Sequence, residues 1–125
     1  MACSQVVQTS DCGTKCRQYK LTCRNLPGGV PCAALEGFSV TVTYDGEADN
    51  WSYTDGDGCE SLMTCSHPDT NRWVWAGAVA KKIDGDCIGV LDGEDVRSDN
   101  NAPTSLGASA GRCEDEDAYI QVEQV

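Results

Sequence analysis

Positive charge and ring-bearing side chains are scarce in this chain, which has one phenylalanine, one histidine, and nine lysines and arginines against twenty aspartates and glutamates. A formal charge of −11 excludes a phosphate backbone as the natural partner, because nucleic-acid binding needs a basic surface. With His67 alone, any metal site would have to be built from thiolates or carboxylates. No apolar run approaches the length of a membrane helix, and Met1-Ala2-Cys3-Ser4-Gln5 lacks the basic and apolar layout of a secretory signal. Phosphate-cradling glycine loops and serine-nucleophile elbows are missing as well. Carboxylates are so abundant that none is marked as an acid or base, and we expect no catalytic residues and no enzyme.

Cysteine, by contrast, is plentiful. Nine residues, Cys3, Cys12, Cys16, Cys23, Cys32, Cys59, Cys65, Cys87 and Cys113, are spread over a chain of 125, the size of one domain. Wide spacing favours disulfides as the reading of all nine positions, with the odd cysteine left free, buried or paired elsewhere. The one zinc-like interval, Cys12 to Cys16, has no second close pair, so a cysteine-rich metal-binding protein is the lesser alternative. Oxidised cysteines without a signal are reconciled if the protein is assembled in a cytosol and released by lysis, as virion components are, or if a secreted domain has lost its leader.

Alternation with period two recurs along the chain, while helical periodicity is weak. Phe38, Val40, Val42 and Tyr44 alternate with Ser39, Thr41 and Thr43 before Asp45-Gly46, and Tyr19, Leu21 and Cys23 alternate with Lys20, Thr22 and Arg24. Further strands are expected at 51–54 and 72–83, with shorter ones at 4–9, 61–65, 87–91 and 118–124. The expected fold is all-β: one domain over 1–125, a disulfide-stabilised β-sandwich or small barrel of seven to eight short strands. Residues 92–117 read as a long acidic loop tethered by Cys113.

Three patterns carry candidate sites. Asp84-Gly85-Asp86 through Asp95 resembles an EF-hand-type calcium loop, with Asp84, Asp86, Asp92, Asp95 and the Val90 carbonyl as ligands; no other cofactor is expected. Trp73 and Trp75 share one face of a strand, a platform for sugar in a carbohydrate-binding or adhesive domain, although core packing is the stronger expectation. Residues 1–35 hold Lys15, Arg17, Lys20 and Arg24 against one acid, so the rest of the chain carries −14, and this basic segment is the expected docking edge for a partner subunit. His67 follows Cys65 too closely for a direct couple and reads as a surface loop residue.

The order Tyr19-x-Leu21-Thr22-Cys23, Cys32-x-x-Leu35-x-Gly37-Phe38, a Val-Thr strand and later single cysteines resembles short cysteine-rich β-modules of tailed-phage virion proteins and bacterial surface proteins over residues 16–91. Glu36 stands where those modules often carry Asn, and Glu60 where a tryptophan follows. The resemblance implies a small β-domain used as a structural or adhesive unit. The functional expectation is a capsid decoration protein or a tail or baseplate accessory, found in the virion or outside the cell after lysis, with protein subunits as partners.

Overall fold

The computed structural model describes residues 18–110 and 113–125, without the side chains of residues 90, 91, 109 and 110. Eight strands follow in chain order: β1 Tyr19–Arg24, β2 Ser39–Asp45, β3 Asn50–Thr54, β4 Glu60–Asp69, β5 Arg72–Ile83, β6 Asp86–Arg97, β7 Ser105–Ala110 and β8 Tyr119–Gln124. Each pairs antiparallel with its neighbour in sequence, and β8 returns to β1 through six register pairs from Tyr19–Gln124 to Arg24–Tyr119. The result is one closed barrel, not two packed sheets. Closure gives every strand a partner on both sides, so no strand is left as a free edge along its whole length.

The alternation in the sequence becomes inside and outside. Leu21, Val42, Met63, Trp75, Val79, Leu106 and Ile120 are fully buried, while their outward neighbours Lys20, Thr41 and Thr43 are exposed. Trp51 lies at the centre of the aromatic packing, edge-on to Tyr19 and Tyr44 with ring centres at 5.8 and 5.4 Å, and 5.5 Å from Trp75. The barrel is therefore filled rather than hollow, as eight strands with large inward side chains allow.

One end of the barrel carries the β1–β2, β3–β4, β5–β6 and β7–β8 connections, and two disulfides staple it. Cys32–Cys113 joins the first connection to the last, and Cys59–Cys87 joins the second to the start of β6. A small second core of Cys32, Leu35, Ile88 and Cys113 fills this end beneath the 3-10 turn Cys32–Leu35. In the chain-entropy account, closing loops of 81 and 28 residues stabilises the fold by roughly 4–5 and 3–4 kcal/mol, values that do not add because the loops overlap.

Two expectations need correction. The sandwich gives way to the barrel, because every strand pairs with its chain neighbour. The acidic stretch 92–117 is not a loop: residues 92–97 complete β6, and β7 lies within it. Cys113 does anchor its end. The strand expected at 4–9 lies outside the described residues, and no helix among the described residues is long and apolar enough to cross a membrane.

Candidate functional site: a cleft where two strands part

Strands β2 and β3 are paired only at Thr43–Ser52, Tyr44–Trp51 and Asp45–Asn50. Nearer the stapled end they diverge. There β2 stays with β1 through Ser39–Thr22 and β3 stays with β4 through Thr54–Glu60, so a cleft of about 500 Å³ opens between them. Its walls are Phe38, Ser39 and Thr41 on one side and Tyr53, Asp55 and Asp57 on the other, with Lys81 and Lys82 of β5 across its end.

Local sequence explains each wall. Asp55-Gly56-Asp57-Gly58 turns the chain because the Asp55 carboxylate accepts the backbone N–H of Asp57 at 2.8 Å and of Cys59 at 3.0 Å, while Gly58 adopts a φ of 83°. The neighbouring lysines owe their position to a bulge: the β5–β6 register shifts between Val79 and Ala80, and the buried Ser61 hydroxyl accepts the Ala80 N–H at 3.0 Å. Lys81 then stands over the Phe38 ring, 4.9 Å from its centre. Lys82 pairs in register with Cys87, whose disulfide partner Cys59 ends the acidic turn. The Cys59–Cys87 bond thus fixes the carboxylate wall relative to the ammonium wall.

The charges in this cleft are held apart. Two of the four lysines in the chain meet here, and among the described residues neither forms an ion pair; the arginines at the far end do, Arg72 with Asp69 and Arg97 with Asp95 and Asp99. Hydrogen bonding from Arg97 holds the exposed Asp99 carboxyl below the usual carboxylate range. Tyr53 is 44 % exposed beside the acidic turn, one of the few large apolar side chains open to solvent. Donor-only and acceptor-only groups therefore face one space together with an accessible ring.

The sites expected from sequence fall elsewhere. Asp84 and Gly85 form the two-residue β5–β6 turn, with φ of 51° and 88°, and Asp86, Val90, Asp92 and Asp95 are spread along the extended strand β6. Ligand positions one, three, seven, nine and twelve cannot converge on an ion when they are strung along an extended strand, even a bulged one, which removes the EF-hand-type reading. No group of three or more His, Cys, Asp or Glu among the described residues is placed to hold a metal. Trp75 is fully buried and Trp73 half-buried on the inner face, so the sugar platform does not exist. Lys20 is exposed on β1, whereas Arg24 is half-buried and donates to Gln121 at 2.8 Å; Lys15 and Arg17 lie outside the described residues.

Among the cysteines, Cys32, Cys59, Cys65, Cys87 and Cys113 are disulfide-bonded, which withdraws them from any thiolate metal site. Cys3, Cys12 and Cys16 lie outside the described residues. Cys23 is the exception to the disulfide expectation: it is free and wholly buried, and burial, with Glu36 nearby, pushes its thiol up to about 12. His67 is not a loop residue but part of β4, its ring stacked on Trp73 at 4.0 Å. Sequence reasoning missed the cleft, although Asp55-Gly-Asp-Gly and Lys81-Lys82 were its visible signals. No family model, curated protein or solved structure matches the chain.

Proposed function

We propose that the chain is a non-catalytic structural subunit of a virion, of the capsid-decoration or tail-accessory kind, and that it works by assembling with neighbouring subunits. The observation that carries this reading is an aliphatic strip on the outside of the barrel. Leu62 of β4, Val74, Ala76 and Ala78 of β5 and Val96 of β6 alternate with the buried Met63, Trp75, Gly77 and Val79. They lie outside the core cluster, with Val96 half exposed. The interior is already filled, so these side chains add nothing to it, and a contiguous outer apolar patch is what a partner covers. Stapling by disulfides suits a component that must last outside a reducing cytosol.

Mass spectrometry of purified particles and sedimentation of the isolated protein test the reading. Val74→Lys with Val96→Asp, which puts opposite charges on register partners and keeps the net charge, should leave the melting temperature nearly unchanged, since outward substitutions usually cost within ~0.5 kcal/mol each, while abolishing self-association or incorporation. A wild-type chain that is absent from particles and monomeric at every concentration would overturn it.

A further inference from the structure

We propose that the cleft between the parted ends of β2 and β3 binds a neutral saccharide. The inference stands apart from the assembly reading, which uses the outer strip of β4–β6. Lysine ammonium groups can only donate hydrogen bonds and carboxylates can only accept them. Asp55 is engaged by backbone and Lys81 lies over Phe38, but Lys82 and Asp57 line the same cavity without an ion pair, so a ligand hydroxyl can accept from Lys82 and donate to Asp57. Adjacent hydroxyls on a sugar ring repeat that pattern at the spacing a cleft of about 500 Å³ can hold. Tyr53, 44 % exposed at the wall, offers the flat ring on which the C–H face of a sugar stacks, and Ser39 and Thr41 add hydroxyls opposite.

Charge decides against the anionic members of the class. The two lysines are matched by Asp55 and Asp57, and the chain as a whole carries −11, so a uronic or sialic acid enters a neutral cleft against a negative field. The site is also pre-formed: Asp55 is fixed by its two backbone hydrogen bonds, and the Cys59–Cys87 disulfide holds the turn against the lysine-bearing end of β5. Little ordering remains to be done on binding.

The oxidised full chain on an array of neutral oligosaccharides, their carboxylated counterparts and unrelated peptides provides the test. We expect retention on neutral glycans, at least tenfold weaker binding in Tyr53→Ala and in Asp57→Asn, and no change in Arg72→Gln at the far end of the barrel. Thermal melting of each variant shows that its fold is intact, and Asp57→Asn keeps both size and position. Retention of no glycan, preference for the carboxylated forms or for peptides, or neutral-glycan binding that survives both cleft substitutions would each overturn the proposal.

Discussion

Cys23 shows how burial alone sets the chemistry of a side chain. It sits inside β1 with no accessible surface, and its thiol is pushed from an ordinary value of 9.0 up to about 12, by burial first and then by Glu36. In the folded state it therefore stays protonated, and the thiolate that alkylating reagents need is scarce. At pH 8, iodoacetamide should leave the Cys23 peptide unmodified in the native protein and label it once the chain is unfolded, as peptide mapping would show. The sign of the pH effect on stability follows. The folded value lies above the unfolded one, so this contribution is complete below pH 9.0 and is lost as pH rises towards 12, when the unfolded chain ionises first. The count of nine identified an odd cysteine; that it would be this one depends on β1 facing inward at position 23, where Cys23 pairs with Ile120 of β8 and its N–H donates to the Phe38 carbonyl.

At the scale of elements, the β5–β6 hairpin is the longest among the described residues, with twelve residues in each strand. Gly77 and Gly93 are register partners on its inner face, and Leu106 of β7 packs against both. A Cβ on Gly93 would come within 2.7 Å of the Leu106 Cβ and 2.9 Å of its carbonyl oxygen, so backbone must move; on Gly77 the nearest atom, at 2.9 Å, is the end of the Leu106 side chain, which can turn away. Gly93→Ala should destabilise the fold by about 1–3 kcal/mol. Gly77→Ala should cost less, because its tightest contact is a side-chain end and its nearest backbone atom, the Leu62 carbonyl oxygen, lies at 3.2 Å, so only a few tenths of an ångström must be given. Denaturant melts of the two variants would measure the order. The same glycines explain what was and was not legible. Phe38–Tyr44 and Tyr19–Arg24 alternate large apolar with polar residues and read directly as strands. Ser105–Ala110 does not, because Leu106 is its one large apolar residue and the buried Ala108 is too small to mark an alternation. The aspartates at 84, 86, 92 and 95 resemble a cation loop only until the Asp84-Gly85 turn sends them along a strand. The cleft was hidden for a different reason: Asp55-Gly-Asp-Gly and Lys81-Lys82 mark its walls in the sequence, but that they meet depends on where the β2–β3 ladder stops.

For the whole molecule, two forces on self-association oppose each other, and salt separates them. Sequence alone pointed to a basic first third docking on an acidic neighbour, but in the folded barrel Lys20 stands opposite Glu123 of β8 in register and Arg24 is engaged by Gln121. The outer strip of Leu62, Val74 and Val96 is bordered by the acidic residues Asp92 and Glu94 of the same face, exposed at register positions beside Ala78 and Ala76. Each copy carries −11, so two copies repel at low ionic strength even where their apolar strips match. Raising salt shortens the Debye length from roughly 30 Å at 0.01 M to about 8 Å at 0.15 M, which weakens that repulsion and leaves apolar burial intact. Self-association of the isolated protein, followed by sedimentation velocity, should therefore increase between these two concentrations and be lost at both in Val74→Lys with Val96→Asp, which leaves the net charge at −11. Association that falls as salt rises would instead mark charge-steered docking through the basic segment, and the strip would then be no part of the interface.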